Sequence, residues 1–390
     1  MELTEMIEIA VPRTLFGVGA LSGLGDLVRS LEATRILLVT DPGVVKAGLS
    51  EPILAALNTA GLAGDLFDEC GAEAPASVIH RLAEKAREGN YDLLVGLGGG
   101  SVMDTTKAAA LLAIDDALTI QDLIEGRAPS RSLAKILIPT TGGTGSEWST
   151  AAVVTTDASD DRTYTYLSAA NYPDAVIIDP ALTFQLPPKN TADTGVDALT
   201  HAVEAYTCAR ANVVSDMYAS QAISLICASL GPAFAKGSQR MKDRYQMAIG
   251  AAMAMQAGTL AGVGLAHFMN HALSKGAHIS HGAAVGLMLP YVMEYNLISS
   301  PGRFAKVAML MGESTDGLST MDAAHKSVTA VRRLLSALGM PQHLSEVGLA
   351  EADVPHLVEE LMALQTLPIG FMNPREVGAE DARAIYLSAL

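Results

Sequence analysis

The chain predicts an α/β first half built on a parallel sheet and an all-α second half, on two observations. Short, nearly unbroken apolar runs alternate with helix-length stretches as far as Asp179-Pro180. Strands apolar on both faces and separated by helices belong to a parallel sheet covered on both sides. Beyond that dipeptide the strand-like runs stop, and from about residue 190 helical periodicity rich in Ala, Met and Leu takes over.

Taken in order, Arg35-Ile-Leu-Leu-Val-Thr-Asp41 is the first clear strand, short, β-branched and closed by turn chemistry. Tyr91–Gly96, Lys135–Pro139 and Ala175–Pro180 repeat the pattern, with helices predicted over Ser77–Glu88 and Ser101–Ile114 between them. An N-terminal edge strand is expected over Thr4–Val11. The domain boundary is placed near residue 183, giving domains 1–183 and 184–390. Asn190-Thr-Ala-Asp-Thr-Gly supplies polar caps for a helix through Tyr206. Residues 247–266, MAIGAAMAMQAGTLAGVGLA, run twenty positions without a charge, long enough to span a bilayer. Their apolar content is Ala and Met with four Gly rather than Leu, Ile and Phe, so a buried helix is expected. Ser319–Leu338, Glu351–Leu364 and Ala379–Leu390 read as amphipathic helices.

Composition narrows the function. Of 390 residues, 26 are Lys or Arg and 42 Asp or Glu, a net charge of −16 with no basic block. That balance argues against nucleic acid or an anionic membrane as partner. Three scattered cysteines, Cys70, Cys208 and Cys227, form neither a disulfide framework nor a zinc-finger spacing, which fits a reducing cytoplasm. The first residues carry acids where an export signal carries bases.

Two loops suit a nucleotide. The strand at 91–96 runs into Leu97-Gly98-Gly99-Gly100-Ser101 and an Ala-rich helix. Glycines there let backbone approach a pyrophosphate, and the helix N-terminus offers N–H groups to the anion. A tight turn without a ligand would show the same glycines. Pro139-Thr-Thr-Gly-Gly-Thr-Gly-Ser-Glu147 is a second such loop, rich in hydroxyls. Asp41, at a strand end, suits an adenosine ribose and would repel a 2′-phosphate, favouring NAD; a capping aspartate is the competing reading.

Five of the nine histidines lie between residues 201 and 281, four of them within 267–281. Asp197 and His201 are four apart on a predicted helix, as are His267 and His271, and so share a face. One carboxylate with imidazoles suits Fe²⁺ or Zn²⁺ rather than Ca²⁺ or Mg²⁺. His278 is the odd one out, and His80, His325, His343 and His356 read as ordinary surface or core residues.

Five motifs in order, TDPGVVKAGL (40–49), GLGGGSVMD (96–104), PTTGGTGSE (139–147), TGVDALTHAVEAY (194–206) and GVGLAHFMNHALSKGAHISHG (262–282), make the chain resemble the iron-dependent (group III) alcohol dehydrogenases over nearly its whole length. The resemblance implies an N-terminal Rossmann-like, dinucleotide-binding α/β domain and an all-α C-terminal metal-binding domain. It implies metal ligands at Asp197, His201, His267 and His281, with His271 a non-ligand near the nicotinamide and a candidate proton relay. It implies cofactor contacts at Asp41, Gly98, Gly99, Gly100, Ser101, Asp104, Thr140, Thr141, Thr144, Ser149, Thr183 and Leu186. The implied reaction is reversible hydride transfer between NAD(H) and a small primary alcohol or its aldehyde, using Fe²⁺ or Zn²⁺, in a cytoplasmic homodimer.

Departures from the family pattern are Val102-Met103 after GGGS, Ala74-Pro75 in place of Asn-Pro, and Arg162 as the cation nearest a usual cofactor lysine. Trp148 and Phe268 replace smaller residues; core packing and a reshaped substrate pocket are both open for them. Rival readings are a reductase of a carboxylate-bearing carbonyl such as maleylacetate or a semialdehyde, with Lys275 the basic residue beside the histidines, and a glycerol dehydrogenase-like polyol enzyme with zinc. Dehydroquinate-synthase-like cyclases would need a basic phosphate cluster in the helical half, and none stands near the histidines.

Overall fold

The computed structural model describes residues 8–156, 162–273, 279–364 and 372–390. They form two compact units, Ala10–Leu186 and one made chiefly of Pro187–Leu390. The change of unit lies beyond the expected 183, because a 3₁₀ turn over Pro180–Thr183 and the bond from the Leu186 N–H to the Thr183 carbonyl still belong to the first unit.

The strands are β1 (Thr14–Phe16), β2 (Ile36–Val39), β3 (Gly64–Phe67), β4 (Leu93–Gly98), β5 (Ala134–Pro139), β6 (Ala151–Thr155), β7 (Thr163–Leu167) and β8 (Ala175–Ile178). Six make a parallel sheet in the order β1-β8-β5-β4-β2-β3, while β6 and β7 pair antiparallel beside it. The four strands read from sequence are those at the buried centre of the sheet. β1 and β3 are edges, short or charged, and lack the continuous apolar run that two-sided burial demands. The edge strand expected at Thr4–Val11 is not found where it can be checked: residues 8–11 are irregular, 4–7 lie outside the described residues, and the edge is Thr14–Phe16.

Helices of this unit are α1 (Leu24–Ser30), α2 (Pro42–Lys46), α3 (Ser50–Thr59), α4 (Ala76–Glu88), α5 (Gly100–Leu112) and α6 (Ile120–Ile124). Alternate side chains of the central strands serve opposite faces. Leu37, Val39 and Leu94 pack with α4, α5 and α6, whereas Ile36, Leu38, Leu93, Val95 and Leu97 pack with α1 and α3.

The second unit is helical throughout its described residues: α7 (Pro188–Thr207), α8 (Val213–Lys236), α9 (Met241–Ala261), α10 (Leu265–Leu273), α11 (His281–Asn296), α12 (Pro301–Leu310), α13 (Thr320–Ala337), α14 (Val354–Leu364) and α15 (Ala379–Ser388). α7 begins two residues before the expected Asn190, because Pro188 is pre-set for the first helical position. The single helix expected over 247–266 is instead two, α9 and α10, meeting at 101°. The break falls at Gly262, whose φ of +98° suits glycine alone, and Gly264. Among the described residues one helix, Val213–Gln239 with its 3₁₀ extension, has the length and apolarity to cross a membrane; it packs against α7, α9 and α12.

Candidate metal centre and cofactor loops

The expected cofactor residues of the first unit gather at the carboxyl ends of neighbouring strands. Asp41 follows β2, Gly98–Ser101 end β4 and open α5, Thr140, Thr141 and Thr144 follow β5, and Thr183 and Leu186 follow β8. β2 and β4 are adjacent while the chain leaves β2 for β3 on its other side, so two of these loops flank a topological switch point. Two of the glycines there are required by packing. A Cβ on Gly98 would lie 2.5 Å from Val102, and one on Gly100 2.7 Å from Thr144, whereas Gly99 has ordinary room. Asp41 is the N-cap of α2: its Oδ1 accepts the N–H groups of Gly43 (2.7 Å) and Val44 (3.0 Å). The Ser101 hydroxyl accepts the Glu73 N–H at 3.1 Å. Glu73 and Ala74 hold positive φ, 63° and 45°; Ala74, standing where the family has asparagine, lacks the side chain that tolerates that region best.

Asp104, expected among the cofactor contacts, is turned inward. Its Oδ1 accepts the Ser146 hydroxyl at 2.6 Å and its Oδ2 the Val153 N–H at 3.1 Å, with the Lys107 ammonium 3.6 Å away. Fully buried Lys107 donates to Ser146 Oγ (2.6 Å) and the Ala151 carbonyl (2.8 Å). Burial pushes the Asp104 carboxyl up and the Lys107 ammonium down, each opposed by its partner. This lock ties α5, and with it the first glycine loop, to the second loop and to β6. Neighbouring Glu147 is buried with Oε2 unbonded, and burial pushes it up to about 7. Ser149, also buried, accepts the Ala151 N–H at 2.9 Å and so shapes the turn into β6. Arg162 is exposed at the start of β7, where its carbonyl accepts the Thr156 N–H. Trp148 is buried and its indole N–H donates to Thr14 Oγ1 at 3.0 Å, the packing reading. Phe268 likewise lies in the core with Leu265, Met269 and Tyr386.

In the second unit, α7, α10 and α11 converge on one point. Asp197 Oδ1 lies 3.4 Å from His267 Nε2, 3.4 Å from His281 Nε2 and 3.8 Å from His201 Nδ1. Asp197, His267 and His281 offer ligand atoms all within 4.8 Å of one another, and the His201 ring stacks on His267 at 4.3 Å. Asp197 Oδ1, His201 Nδ1 and His267 Nε2 are buried and carry no hydrogen bond. Buried, unbonded polar atoms cost several kcal/mol unless a cation completes them; Asp197, His267 and His281 form the converging group, His201 stands beside it, and the donor set fits a transition-metal ion. Burial would raise the Asp197 carboxyl, but His201, His281 and His267 hold it well below its ordinary range. Burial presses His201 down to about 3, while Glu204 and Asp197 overcome burial and lift His267 to about 9. His271, one turn beyond His267, is pressed to about 4 by burial with His281 and His267 nearby, and is neutral at physiological pH. His278 and Lys275 lie outside the described residues.

Sequence reasoning passed over the residues that hold this site. Glu204, seven after Asp197 and three after His201 on α7, shares their face, a legible signal. Ser280 caps α11 and donates to Asp193 Oδ2 at 2.6 Å. The next residue but one is obligatory glycine, since a Cβ on Gly282 would meet the Asp193 carbonyl at 2.0 Å.

Comparison with known proteins agrees with this chemistry. Residues 12–180 match the family model for iron-containing alcohol dehydrogenase, and residues 191–390 that for the C-terminal part of the Fe-containing alcohol dehydrogenase family. A long-chain-alcohol dehydrogenase of Geobacillus thermodenitrificans is 37% identical over 97% of this chain and 95% of its own. The crystal structure of a 1,3-propanediol oxidoreductase superposes with a TM-score of 0.94 at 36% identity, covering 99% of this chain and 100% of that one. A sulfoacetaldehyde reductase from Bifidobacterium kashiwanohense, solved in complex with NAD⁺, gives a TM-score of 0.88 at 27% identity over 99% of each chain. With a donor set made for a transition metal and strand-end loops made for a dinucleotide, the chain belongs to the iron-containing alcohol dehydrogenase family and is an oxidoreductase of the metal- and NAD-dependent kind.

Proposed function

We propose that Asp197, His201, His267 and His281 hold Fe²⁺, or Zn²⁺ through the same donors, for reversible hydride transfer between a small primary alcohol or its aldehyde and NAD(H). The observation that carries this is Asp197 Oδ1, buried and unbonded, with His267 Nε2 and His281 Nε2 each 3.4 Å away and His201 Nδ1 at 3.8 Å. When bound, the ion supplies Lewis acidity toward the substrate oxygen. Asp197 contributes the one anionic donor, and its depressed pKa keeps it charged across the working range. His201, pressed to about 3, presents a neutral imidazole. His271, neutral and one helical turn from His267, takes up and returns the alcohol proton.

In the first unit, the N-terminus of α5 with Gly98, Gly99, Gly100 and Ser101 binds the pyrophosphate through backbone N–H groups. Thr140, Thr141, Thr144, Thr183 and Leu186, at the same edge of the sheet, contact the rest of the dinucleotide. Asp41 selects NADH, because a carboxylate fixed at the α2 N-cap repels a 2′-phosphate. Asp104 and Ser149 serve the cofactor through the loops they hold. The chain acts as a homodimer in the cytoplasm, with no nucleic-acid or membrane partner. Supporting this, among the described residues β1 is paired on one side only, the cysteines are free thiols, and the net charge is −16.

The test is NADH oxidation by anaerobically prepared, Fe²⁺-loaded protein against short aldehydes, semialdehydes and maleylacetate, with NADPH in parallel. Turnover on neutral short aldehydes, selective for NADH, is the expected result; turnover confined to the anionic carbonyls replaces the substrate class. His271→Gln keeps its metal and loses about a hundredfold in kcat, the usual share of a positioned acid–base group.

A further inference from the structure

Resting on the metal reading above, we infer that Glu204 and Asn270 are positioning residues that fix the ring orientation and tautomer of His267 and His281 for a divalent ion. Both are buried, at 4% and 2% exposure, and neither offers an atom to the point where Asp197 and the histidines converge. Glu204 reaches from α7 to the start of α10. Its Oε2 accepts the Gly264 N–H at 2.9 Å and lies 2.5 Å from His267 Nδ1, while its Oε1 accepts the Ala266 N–H at 2.6 Å. The sharp break between α9 and α10 exists at this contact. A Cβ on Gly264 would come within 2.9 Å of Glu204 Oε1, so glycine is what lets the carboxylate seat itself under the new helix.

The consequence for His267 is chemical. A carboxylate can only accept, so the ring's Nδ1 carries the proton that faces Glu204, and an incoming cation displaces the proton from Nε2, the atom facing Asp197, to free its lone pair. That is the form a metal ion needs. The charge count agrees as well: a dication with Asp197 and Glu204 ionised and the imidazoles neutral sums to zero.

His281 has the same arrangement with an amide. Its Nδ1 lies 2.7 Å from Asn270 Nδ2, and Asn270 Oδ1 is buried without a partner. The oxygen and nitrogen of an amide are alike in shape. Turned about its terminal bond, Asn270 presents Oδ1 to His281 Nδ1–H and leaves Nε2 free to bind. One ligand is thus oriented by an anion and the other by a neutral amide.

The experiment measures Zn²⁺ and Co²⁺ affinity by chelator competition, together with the Co²⁺ visible spectrum and the thermal melting of the metal-free protein. Glu204→Gln keeps an oxygen for the Ala266 N–H but turns an NH₂ toward His267 Nδ1 and the Gly264 N–H, enforcing the wrong tautomer. Affinity falls about 10- to 100-fold and the Co²⁺ spectrum shifts, while metal-free melting falls with the lost Gly264 bond, so the spectrum is the readout that a merely structural role leaves unmoved. Asn270→Leu weakens binding similarly, and Asn270→Asp, an obligate acceptor, retains it or tightens it. Unchanged affinity and spectrum in Glu204→Gln, or equal affinities in the two Asn270 variants, overturn the inference. The Asn270 pair decides the matter if Glu204→Gln does not fold. A parent chain that binds neither ion overturns the metal reading itself, which is a different outcome.

Discussion

The loops at the carboxyl ends of β2, β4 and β5 are made mostly of backbone, whereas the cluster around Asp197 is made of side chains from three helices. A loop of the first kind needs glycines, a helix N-terminus and a place at a strand end, all local features of a dozen residues. A cluster of the second kind needs α7, α10 and α11 held so that four side chains meet, and it carries unbonded buried atoms as the cost of readiness. The backbone site tolerates change in its neighbours and fails through its glycines; the side-chain site fails through any one member.

The largest expected effect separates the two. His267→Ala removes a donor and is expected to lose bound metal and about a thousandfold in turnover, the several kcal/mol that a Lewis acid supplies, with NADH affinity changed by no more than about twofold. Metal analysis and NADH fluorescence titration check it, and loss of NADH affinity as well would break the comparison.

Next comes a place where the backbone site depends on buried charge. Lys107→Met leaves Asp104 buried without its cation and is expected to cost about 3–5 kcal/mol in urea unfolding. Replacing both members, as in K107M with D104L, should recover much of that stability but not the cofactor affinity, since Ser146 and the second loop lose their anchor.

A smaller effect resolves the double role of Asp41. Asp41→Asn keeps the cap on α2 but not the charge, and NADPH relative to NADH is expected to gain about tenfold in kcat/KM through relief of one like-charge contact. An unchanged ratio would make Asp41 a cap and nothing more.

The smallest is a pH effect on stability. Burial lifts Glu147 from its ordinary 4.5 to about 7, so in that window the folded chain binds this proton more tightly than the unfolded one. Stability from this residue therefore falls as pH rises through the window. Glu147→Gln has no such proton, and its melting temperature relative to the parent should rise between about pH 5 and about pH 8. A difference that stays flat with pH would mean Glu147 is ionised throughout.

Much of both sites was legible in the residues. The four central strands announce themselves because burial on two faces demands unbroken apolar runs, and the histidine spacing announces a shared face because a helix repeats every 3.6 residues. The edge strands β1 and β3 do not, since one solvated side removes that demand. The break between α9 and α10 was hidden because MAIGAAMAMQAGTLAGVGLA is helix-compatible in composition; the carboxylate of Glu204, sixty residues earlier than Gly264, is what gives the second helix its start.

What the sequence determined by itself, then, is the class of each half, the glycine loops and the spacing of the candidate ligand residues, because these follow from local period, local turn chemistry and the donor atoms a side chain owns. What only the tertiary structure decided is which atoms meet. Asp104 faces Lys107 and Ser146 rather than the edge of the sheet, Trp148 bonds Thr14, and Glu204 and Asn270 stand behind His267 and His281. A pattern along the chain fixes the face on which a residue lies, but hydrogen-bond partners are chosen by distances across the fold, and buried polar groups leave little latitude in that choice.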